Sequence, residues 1–357
     1  MKITDINHKT VTIPLVVPFK TALRTVKQIE NVLVTVTTDA DHCGYGGAAP
    51  TAVITGDTLA SIRGGIEHIR DNIIGMEIEA VEDLFQNLNS CLVGNTSAKA
   101  AVDMAIYDLL AKSQGVPLYR FLGGTGGSLV TDITISLDTP EKMVADSKKR
   151  IASGFNILKI KVGNNPALDI ERLQAIHDEV GSQVEIRIDA NQGWSPKQGV
   201  QVGKELAARG INIELMEQPV AARDFSGFRY VREHLSVPVV ADESVFSPRD
   251  ALELIQMGAV DGINIKLMKC GGIYNAIRIA AIAEAAGIPC MVGSMMESHL
   301  SVGAAAHFAA SRSIVTRFDL DAPLFCSANP VVGGIFYQGP NVCFTDAPGL
   351  GVEVLHL

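Results

Sequence analysis

The sequence predicts an α/β protein in which a parallel β/α barrel follows a smaller mixed domain. After residue 128, eight short apolar segments alternate with helical stretches, which favours a closed barrel over an open doubly wound sheet. The polar residues that end five successive segments are 28, 28, 25 and 24 residues apart, the length of one β/α unit. A dinucleotide-binding sheet would carry Gly-x-Gly-x-x-Gly after its first strand, and that motif is absent there.

The predicted barrel strands share a short apolar or β-branched run, and amphipathic stretches such as NAIRIAAIAEAAG lie between them. In chain order they are LVTDITIS, NILKIKV, VEIRIDA, NIELMEQ, VPVVADES, GINIKLM, PCMVGSM and SIVTRFDLD. We expect these segments to pair in parallel and the helices to cover the outside of the barrel.

The N-terminal part has a different pattern of predicted strands and helices. Residues 1–60 are β-rich, with HKTVTIPL and NVLVTVTTD as strands, and residues 57–118 are helical, with Thr96 or Ser97 as a predicted N-cap. The glycine-rich stretch at 123–127 lacks the GK[ST] ending of a phosphate loop and is interpreted as a linker. The predicted domains are a mixed α and β domain at 1–122, the barrel at 123–328 and a returning C-terminal segment at 329–357.

Composition narrows the function classes. The 357 residues are 47% hydrophobic and 19% charged, which indicates a globular chain. A net charge of −9 argues against a general nucleic-acid-binding surface. The six cysteines form no CxxC pair, which is typical of free thiols in a cytoplasmic protein. No apolar run is long enough for a membrane span, so no membrane association is expected.

Charged residues fall at the C-terminal ends of the predicted strands, which form one face of a barrel. They are Lys159, Lys161, Asp189, Glu217, Asp242, Lys266, Asp319 and Asp321. A single acid at such a position often caps the following helix, but three in series between lysines favour a shared site. Carboxylate ligands without histidine or thiolate predict Mg²⁺ bound by Asp189, Glu217 and Asp242.

The lysines indicate acid–base chemistry. Lys159 and Lys161 are two residues apart on a strand and point the same way. A free lysine has a pKa near ~10.4, whereas a base at neutral pH needs about 7 to 8. A neighbouring ammonium and a divalent cation both lower a lysine pKa, so Lys159 is expected to act on Lys161. Lys266, four strands further round, would face Lys161 as a second base on the opposite side of one carbon.

These motifs resemble the enolase superfamily, and within it the muconate-lactonizing-enzyme subgroup. The matching stretches are Lys159-Ile160-Lys161, DANQGW with Asp189, EQP with Glu217, ADES with Asp242 and NIKLMKCGG with Lys266. The resemblance implies a modified TIM barrel, (β/α)7β, with an α+β N-terminal capping domain whose lid loops lie near 14–30 and 44–57. It also implies a Mg²⁺-stabilised enediolate and a lysine base.

Within that subgroup, Asp319-Leu320-Asp321 looks like the Asp-x-Asp motif that binds the α-ammonium of the substrate in dipeptide epimerases. Arg24 resembles the arginine that pairs with a glutamate side chain in alanyl-glutamate epimerases, a contact that suits a guanidinium. Thr134, Ser294 and Met296 match segments that contact the substrate. The chain departs from many superfamily members at Gly47 of GYGGAA, where they carry an acid.

The resemblance therefore implies a Mg²⁺-dependent epimerase of small dipeptides, with L-Ala-D/L-Glu preferred, working as a homo-oligomer. N-succinylamino-acid racemase, o-succinylbenzoate synthase and cycloisomerase activities of the same subgroup remain open, although their substrates offer no ammonium to Asp319 and Asp321. A Schiff-base aldolase would use a strand lysine but leaves the three carboxylates unexplained. A non-catalytic metal- or peptide-binding protein leaves the opposed lysines unexplained.

Overall fold

The computed structural model describes residues 1–355 and begins with a three-stranded antiparallel sheet. Its strands are β1 (Ile3–Lys20), β2 (Thr25–Thr38) and β3 (Cys43–Ala48). β-branched residues dominate the first two, as is typical of strands. The Thr21 backbone N–H donates to the Arg24 carbonyl at 2.9 Å and closes the β1–β2 hairpin, so Arg24 lies at the hairpin tip.

Four helices follow, and the first and third of them pack against the sheet. They are α1 (Leu59–Ile73), α2 (Val81–Ser90), α3 (Thr96–Ser113) and α4 (Leu118–Phe121). Helix α3 is buried over almost its whole length, which accounts for its weak amphipathic pattern. Gly44 and Gly46 of β3 let the two backbones approach, because a Cβ at either position would collide with a carbonyl of α3.

The N-cap predicted for α3 was wrong. The helix begins at Thr96, and the cap position belongs to Asn95, whose φ of 48° is left-handed and whose side chain makes no capping bond. The Asp57 carboxylate instead accepts a hydrogen bond from the Ser97 backbone N–H at 3.0 Å. A residue 40 positions earlier in the chain therefore satisfies the free N–H group of the first turn.

Eight parallel strands form the barrel and are hydrogen-bonded to one another in chain order. They are β5 (Ile133–Ile135), β6 (Ile157–Lys161), β7 (Glu185–Asp189), β8 (Leu215–Glu217), β9 (Val239–Ala241), β10 (Gly262–Ile265), β11 (Cys290–Gly293) and β12 (Val315–Asp319). The Asp132 backbone N–H donates to the Phe318 carbonyl at 3.1 Å and links the two ends of the sheet. Each predicted strand segment contains one of these strands.

Each of the seven connections between barrel strands contains a helix, so the predicted (β/α)7β barrel is confirmed. The helices are α5 (Pro140–Ala152), α6 (Pro166–Val180), α7 (Pro196–Ala208), α8 (Phe225–His234), α9 (Pro248–Gln256), α10 (Leu267–Cys270), α11 (Ile273–Ala285) and α12 (His299–Ala309), and a 3₁₀ helix spans Ala322–Phe325. Helices α5, α6, α7 and α9 begin with proline after Thr, Asn or Ser, a strong start signal.

The chain after the barrel forms short strands that contact both earlier parts. They are β13 (Val331–Gly333), β14 (Phe336–Gln338), β15 (Asn341–Cys343) and β16 (Val352–Leu355). β15 pairs with β4 (Leu129–Val130), and the Leu350 backbone N–H donates to Asp108 of α3 at 2.7 Å. These contacts agree with a returning segment, while the domain boundaries at 122 and 328 stay a prediction.

The barrel interior contains both apolar and charged side chains. Leu215, Val240 and Met291 form a small apolar cluster of their own inside the barrel. Above them lie the acidic and basic strand ends, and the main hydrophobic core lies between the sheet and the surrounding helices. Within residues 1–355, no helix has the length and apolar character that crossing a membrane requires.

Candidate active site

Strand β6 places both of its lysines inside the barrel, as their spacing predicts. Lys159 is fully buried, and its Nζ lies 2.7 Å from Asp319 Oδ2, 2.7 Å from Glu217 Oε2 and 3.3 Å from Asp189 Oδ2. Burial favours the neutral amine, but Asp319 and Glu217 outweigh it and raise the pKa of Lys159 well above its ordinary value. The three surrounding carboxylates therefore favour the charged form of Lys159.

The other two predicted lysines lie at the surface of one cavity. Lys161 Nζ lies 2.5 Å from Asp189 Oδ2, and Lys266 Nζ lies 2.7 Å from Asp242 Oδ2. Strands β6 and β10 are four positions apart in the barrel, and both side chains line the same cavity. The two amines therefore approach one space from different strands.

Two opposed influences act on the pKa of Lys266. Burial disfavours its charged form, but Asp242 outweighs burial and raises the pKa of Lys266 above its ordinary value. The physical reason is that the Asp242 carboxylate here compensates the ammonium directly. The expected effect of Lys159 on Lys161 stays a prediction.

The three predicted metal ligands converge. Asp189, Glu217 and Asp242 are fully buried, and one oxygen from each lies within 4.8 Å of the other two. Burial, followed by Asp189, raises the pKa of Glu217, whereas the lysines outweigh burial and lower the pKa of Asp189 and of Asp242. The three carboxylates are therefore close enough to repel one another, and nearby positive charge offsets this repulsion.

Two atoms of this cluster show that a divalent cation fits it. Glu217 Oε2 and Asp242 Oδ1 are buried and make no hydrogen bond among the described residues, although Lys159 Nζ and Lys269 Nζ lie 2.7 and 2.6 Å from them. Both oxygens thus face an ammonium but accept no well-aligned hydrogen bond from residues 1–355. Three buried carboxylates grouped in this way are an all-oxygen donor set of the kind that Mg²⁺ accepts.

Sequence reasoning missed several polar neighbours of the cluster. Lys269 in α10 is fully buried against Asp242, three residues after Lys266. Asn191 donates to Asp189 Oδ2 and to Glu243 Oε1, both at 3.2 Å, and Asn264 donates to Glu217 at 2.8 Å. Their positions in the sequence could have indicated them, because each lies within three residues of a charged strand end already assigned to the site.

The cavity above the cluster contains all six residues predicted to contact a substrate. Its lining includes Arg24, Thr134, Ser294, Met296, Asp319 and Asp321, together with Lys161 and Lys266. Residues of both predicted lid loops also line it, including Leu23 and Val53. Sequence positions almost 300 residues apart are thus brought to one space.

Arg24 enters this cavity from the β1–β2 hairpin. Burial lowers the pKa of its guanidinium, and within residues 1–355 no carboxylate lies in ion-pair distance of it. The hairpin is held to the barrel by Lys20, whose Nζ lies 2.5 Å from Asp138 Oδ2 and whose backbone N–H donates to Ser136 Oγ at 3.2 Å. A half-buried guanidinium of this kind suits a carboxylate supplied by a ligand.

Asp319 is the last residue of barrel strand β12, Asp321 follows two residues later, and both line the cavity. Asp319 Oδ2 accepts from Lys159 Nζ at 2.7 Å, and Asp321 Oδ2 accepts from the Thr134 backbone N–H at 2.6 Å. Burial, with Asp319 next in importance, raises the pKa of Asp321 to about 6. Two carboxylates that line a cavity, of which Asp319 is paired with Lys159, suit a cationic ligand group.

Comparisons with known families cover both parts of the chain. Residues 3–123 match the family model of the mandelate racemase/muconate lactonizing enzyme N-terminal domain. Residues 142–356 match the model of the enolase C-terminal domain-like family. These matches confirm the family resemblance that the motifs indicate.

Individual relatives are similar over the full length. An L-Ala-D/L-Glu epimerase of Clostridium acetobutylicum is 49% identical over 354 residues, 99% of each chain. A substrate-liganded L-Ala-D/L-Glu epimerase from Bacillus subtilis superposes with a TM-score of 0.99 at 47% identity and covers 100% of both chains. A dipeptide epimerase from Enterococcus faecalis, solved with Mg and the dipeptide L-Leu-L-Tyr, has a TM-score of 0.95 at 40% identity, covering 99% of this chain and 100% of its own.

Proposed function

This chain belongs to the mandelate racemase and muconate lactonizing enzyme family of the enolase superfamily, and we propose that it is a Mg²⁺-dependent dipeptide epimerase. The reaction is a 1,1-proton transfer at the α-carbon of the C-terminal residue, with L-Ala-D/L-Glu as the preferred substrate. The full-length similarity to L-Ala-D/L-Glu epimerases supports this choice.

One observation carries the proposal. Lys161 and Lys266 extend from strands four positions apart into one cavity, directly beside three clustered carboxylates. Epimerisation requires one group to take a proton from one face of a carbon and another to return it on the opposite face. In the proposal these groups are the Lys161 and Lys266 amines, and Lys159 remains a charged neighbour.

Asp189, Glu217 and Asp242 are the proposed Mg²⁺ ligands. A bound Mg²⁺ supplies positive charge beside the substrate carboxylate and so favours the enediolate form. Asn191 and Asn264 hold two of these carboxylates, Asp189 and Glu217, through hydrogen bonds, which fixes their orientation. The lysines carry the proton itself.

The rest of the cavity positions the dipeptide. In the proposal Asp319 and Asp321 bind its α-ammonium, and Arg24 binds the side-chain carboxylate of a C-terminal glutamate. Thr134, Ser294 and Met296 line the same cavity. A dipeptide held at both ends presents its α-carbon in a fixed orientation to the lysines. Assembly as a homo-oligomer is proposed on the same family basis.

The test is hydrogen exchange in D₂O. Purified protein with Mg²⁺ is mixed with L-Ala-L-Glu and with a dipeptide library, and deuterium at the C-terminal α-carbon is followed by mass spectrometry and NMR. We expect exchange and appearance of L-Ala-D-Glu, both abolished by EDTA and restored by Mg²⁺. N-Succinylamino acids in the same assay test the racemase alternative, and no exchange with any dipeptide would refute the proposal.

A further inference from the structure

Asp132 is a buried acid that the reaction as described does not use. It lies one residue before β5, is fully buried and does not line the cavity. Its Oδ2 accepts from Arg187 Nη1 at 2.9 Å, whereas its Oδ1 has no hydrogen-bond partner among the described residues. A buried carboxylate oxygen without a partner is costly, so its position requires an explanation.

This acid is close to the two aspartates proposed to bind the ammonium. One oxygen each from Asp132, Asp319 and Asp321 lies within 4.8 Å of the other two. The segment that carries Asp132 also holds the backbone around Asp319 through two hydrogen bonds. The Asp132 backbone N–H donates to the Phe318 carbonyl at 3.1 Å, and Thr131 Oγ1 accepts from the Leu320 N–H at 2.8 Å. The three carboxylates therefore form one cluster that bridges the two ends of the barrel sheet.

Positive charge around this cluster is incomplete. Within residues 1–355, the cations in ion-pair distance of it are Lys159 and Arg187. Both are shared, since Lys159 also contacts Glu217 and Asp189, and Arg187 Nε lies 2.5 Å from Glu214. Burial, followed by Asp319, raises the pKa of Asp132 well above its ordinary value, so a further cation beside the three acids would favour its charged form.

We propose that Asp132 is a positioning residue of the ammonium subsite, which acts through Asp319 and Asp321 and adds negative charge beneath them when an ammonium is bound. This inference rests on the proposed function. Asp132 touches no substrate atom, and Arg187 keeps it in place from the other side. Its effect is on the binding of the free α-ammonium and not on the proton transfer, which takes place at Lys161 and Lys266.

The test replaces the charge without changing the shape. Asp132→Asn keeps an oxygen for Arg187 and removes the negative charge. Two ligands are compared, L-Ala-L-Glu as substrate and N-propionyl-L-glutamate as a competitive inhibitor of the same shape that lacks the ammonium. We expect the KM of L-Ala-L-Glu to rise at least about tenfold with little change in kcat, while the Ki of N-propionyl-L-glutamate is unchanged or lower.

A matched control is Asp108→Asn, since Asp108 is also fully buried and paired with a lysine, Lys112, at 2.7 Å, but lies on α3 away from the cavity. It should leave the ratio of KM to Ki unchanged. If Asp132→Asn does not fold, Asp132→Ser gives the same comparison with a smaller neutral side chain.

Three outcomes count against the inference. In the first, the ratio of KM to Ki in Asp132→Asn equals that of the wild type. In the second, kcat falls while this ratio stays unchanged. Either result would make Asp132 a merely structural residue. If the wild type turns over no dipeptide, the proposed function fails first and the inference falls with it. A wild type that is active, with an unchanged ratio in the variant, overturns this inference alone.

Discussion

Lys159 offers the sharpest test of how the carboxylate cluster is held together. Replacement by methionine keeps most of the side-chain volume and removes the ammonium. Each of the two 2.7 Å contacts, to Glu217 and Asp319, is worth about 6 kcal/mol of attraction at an effective dielectric constant of ~20. Most of that attraction is offset by the cost of burying the ammonium, and removing one partner of a buried pair typically costs about 3–5 kcal/mol.

We therefore expect Lys159→Met, in EDTA, to lower the free energy of unfolding by about 3–5 kcal/mol, measured by urea denaturation. Mg²⁺ should restore more stability in this variant than in the wild type, because it replaces the lost positive charge. The control is Lys148→Met, since Lys148 Nζ lies 2.8 Å from Glu179 but is 59% exposed, where about 0–1 kcal/mol is expected. If Lys159→Met costs no more than Lys148→Met, the reasoning is refuted.

Three further outcomes follow from the cavity. Arg24→Gln should raise the KM for L-Ala-L-Glu about 10- to 100-fold, because a bidentate pair with the glutamate side chain is lost. The KM for L-Ala-L-Leu should change much less. Equal effects on both dipeptides would contradict this role of Arg24. The pKa of Asp321 is raised to about 6, so protonation below that pH removes negative charge from the ammonium subsite. The KM for L-Ala-L-Glu should therefore rise as the pH falls through about 6. Asp321→Asn should show no such rise in KM. Lys20→Met breaks the 2.5 Å contact with Asp138 that ties the hairpin to the barrel, and we expect a KM increase without a comparable fall in melting temperature; an unchanged KM would show that this tie does not matter.

The barrel was predictable because its strands are short, apolar and regularly spaced. The period of 24 to 28 residues and the polar strand ends could both be read directly from the sequence. Alternation along a strand was enough to place Lys159 and Lys161 on the same inward side, and the structure has them there.

Other features of the site and the fold arise from contacts that the local sequence pattern does not indicate. Asp132 stands before its strand and not at its end, and it meets Arg187, 55 residues away, only in the closed barrel. Lys269 belongs to a short helix after β10, and only the fold shows that it turns back to Asp242. The cap of α3 came from Asp57, so a search for a local cap pointed to the wrong residues.

The two-lysine proposal is tested most directly by the stereochemistry of exchange. Lys161→Ala and Lys266→Ala are each incubated in D₂O with Mg²⁺ and with L-Ala-L-Glu or L-Ala-D-Glu, and deuterium at the α-carbon is measured. With one base on each face, neither variant epimerises, and each exchanges at most one isomer, a different one for each variant. Exchange of the same isomer by both variants, or epimerisation by either, would contradict the assignment of Lys161 and Lys266 to opposite faces.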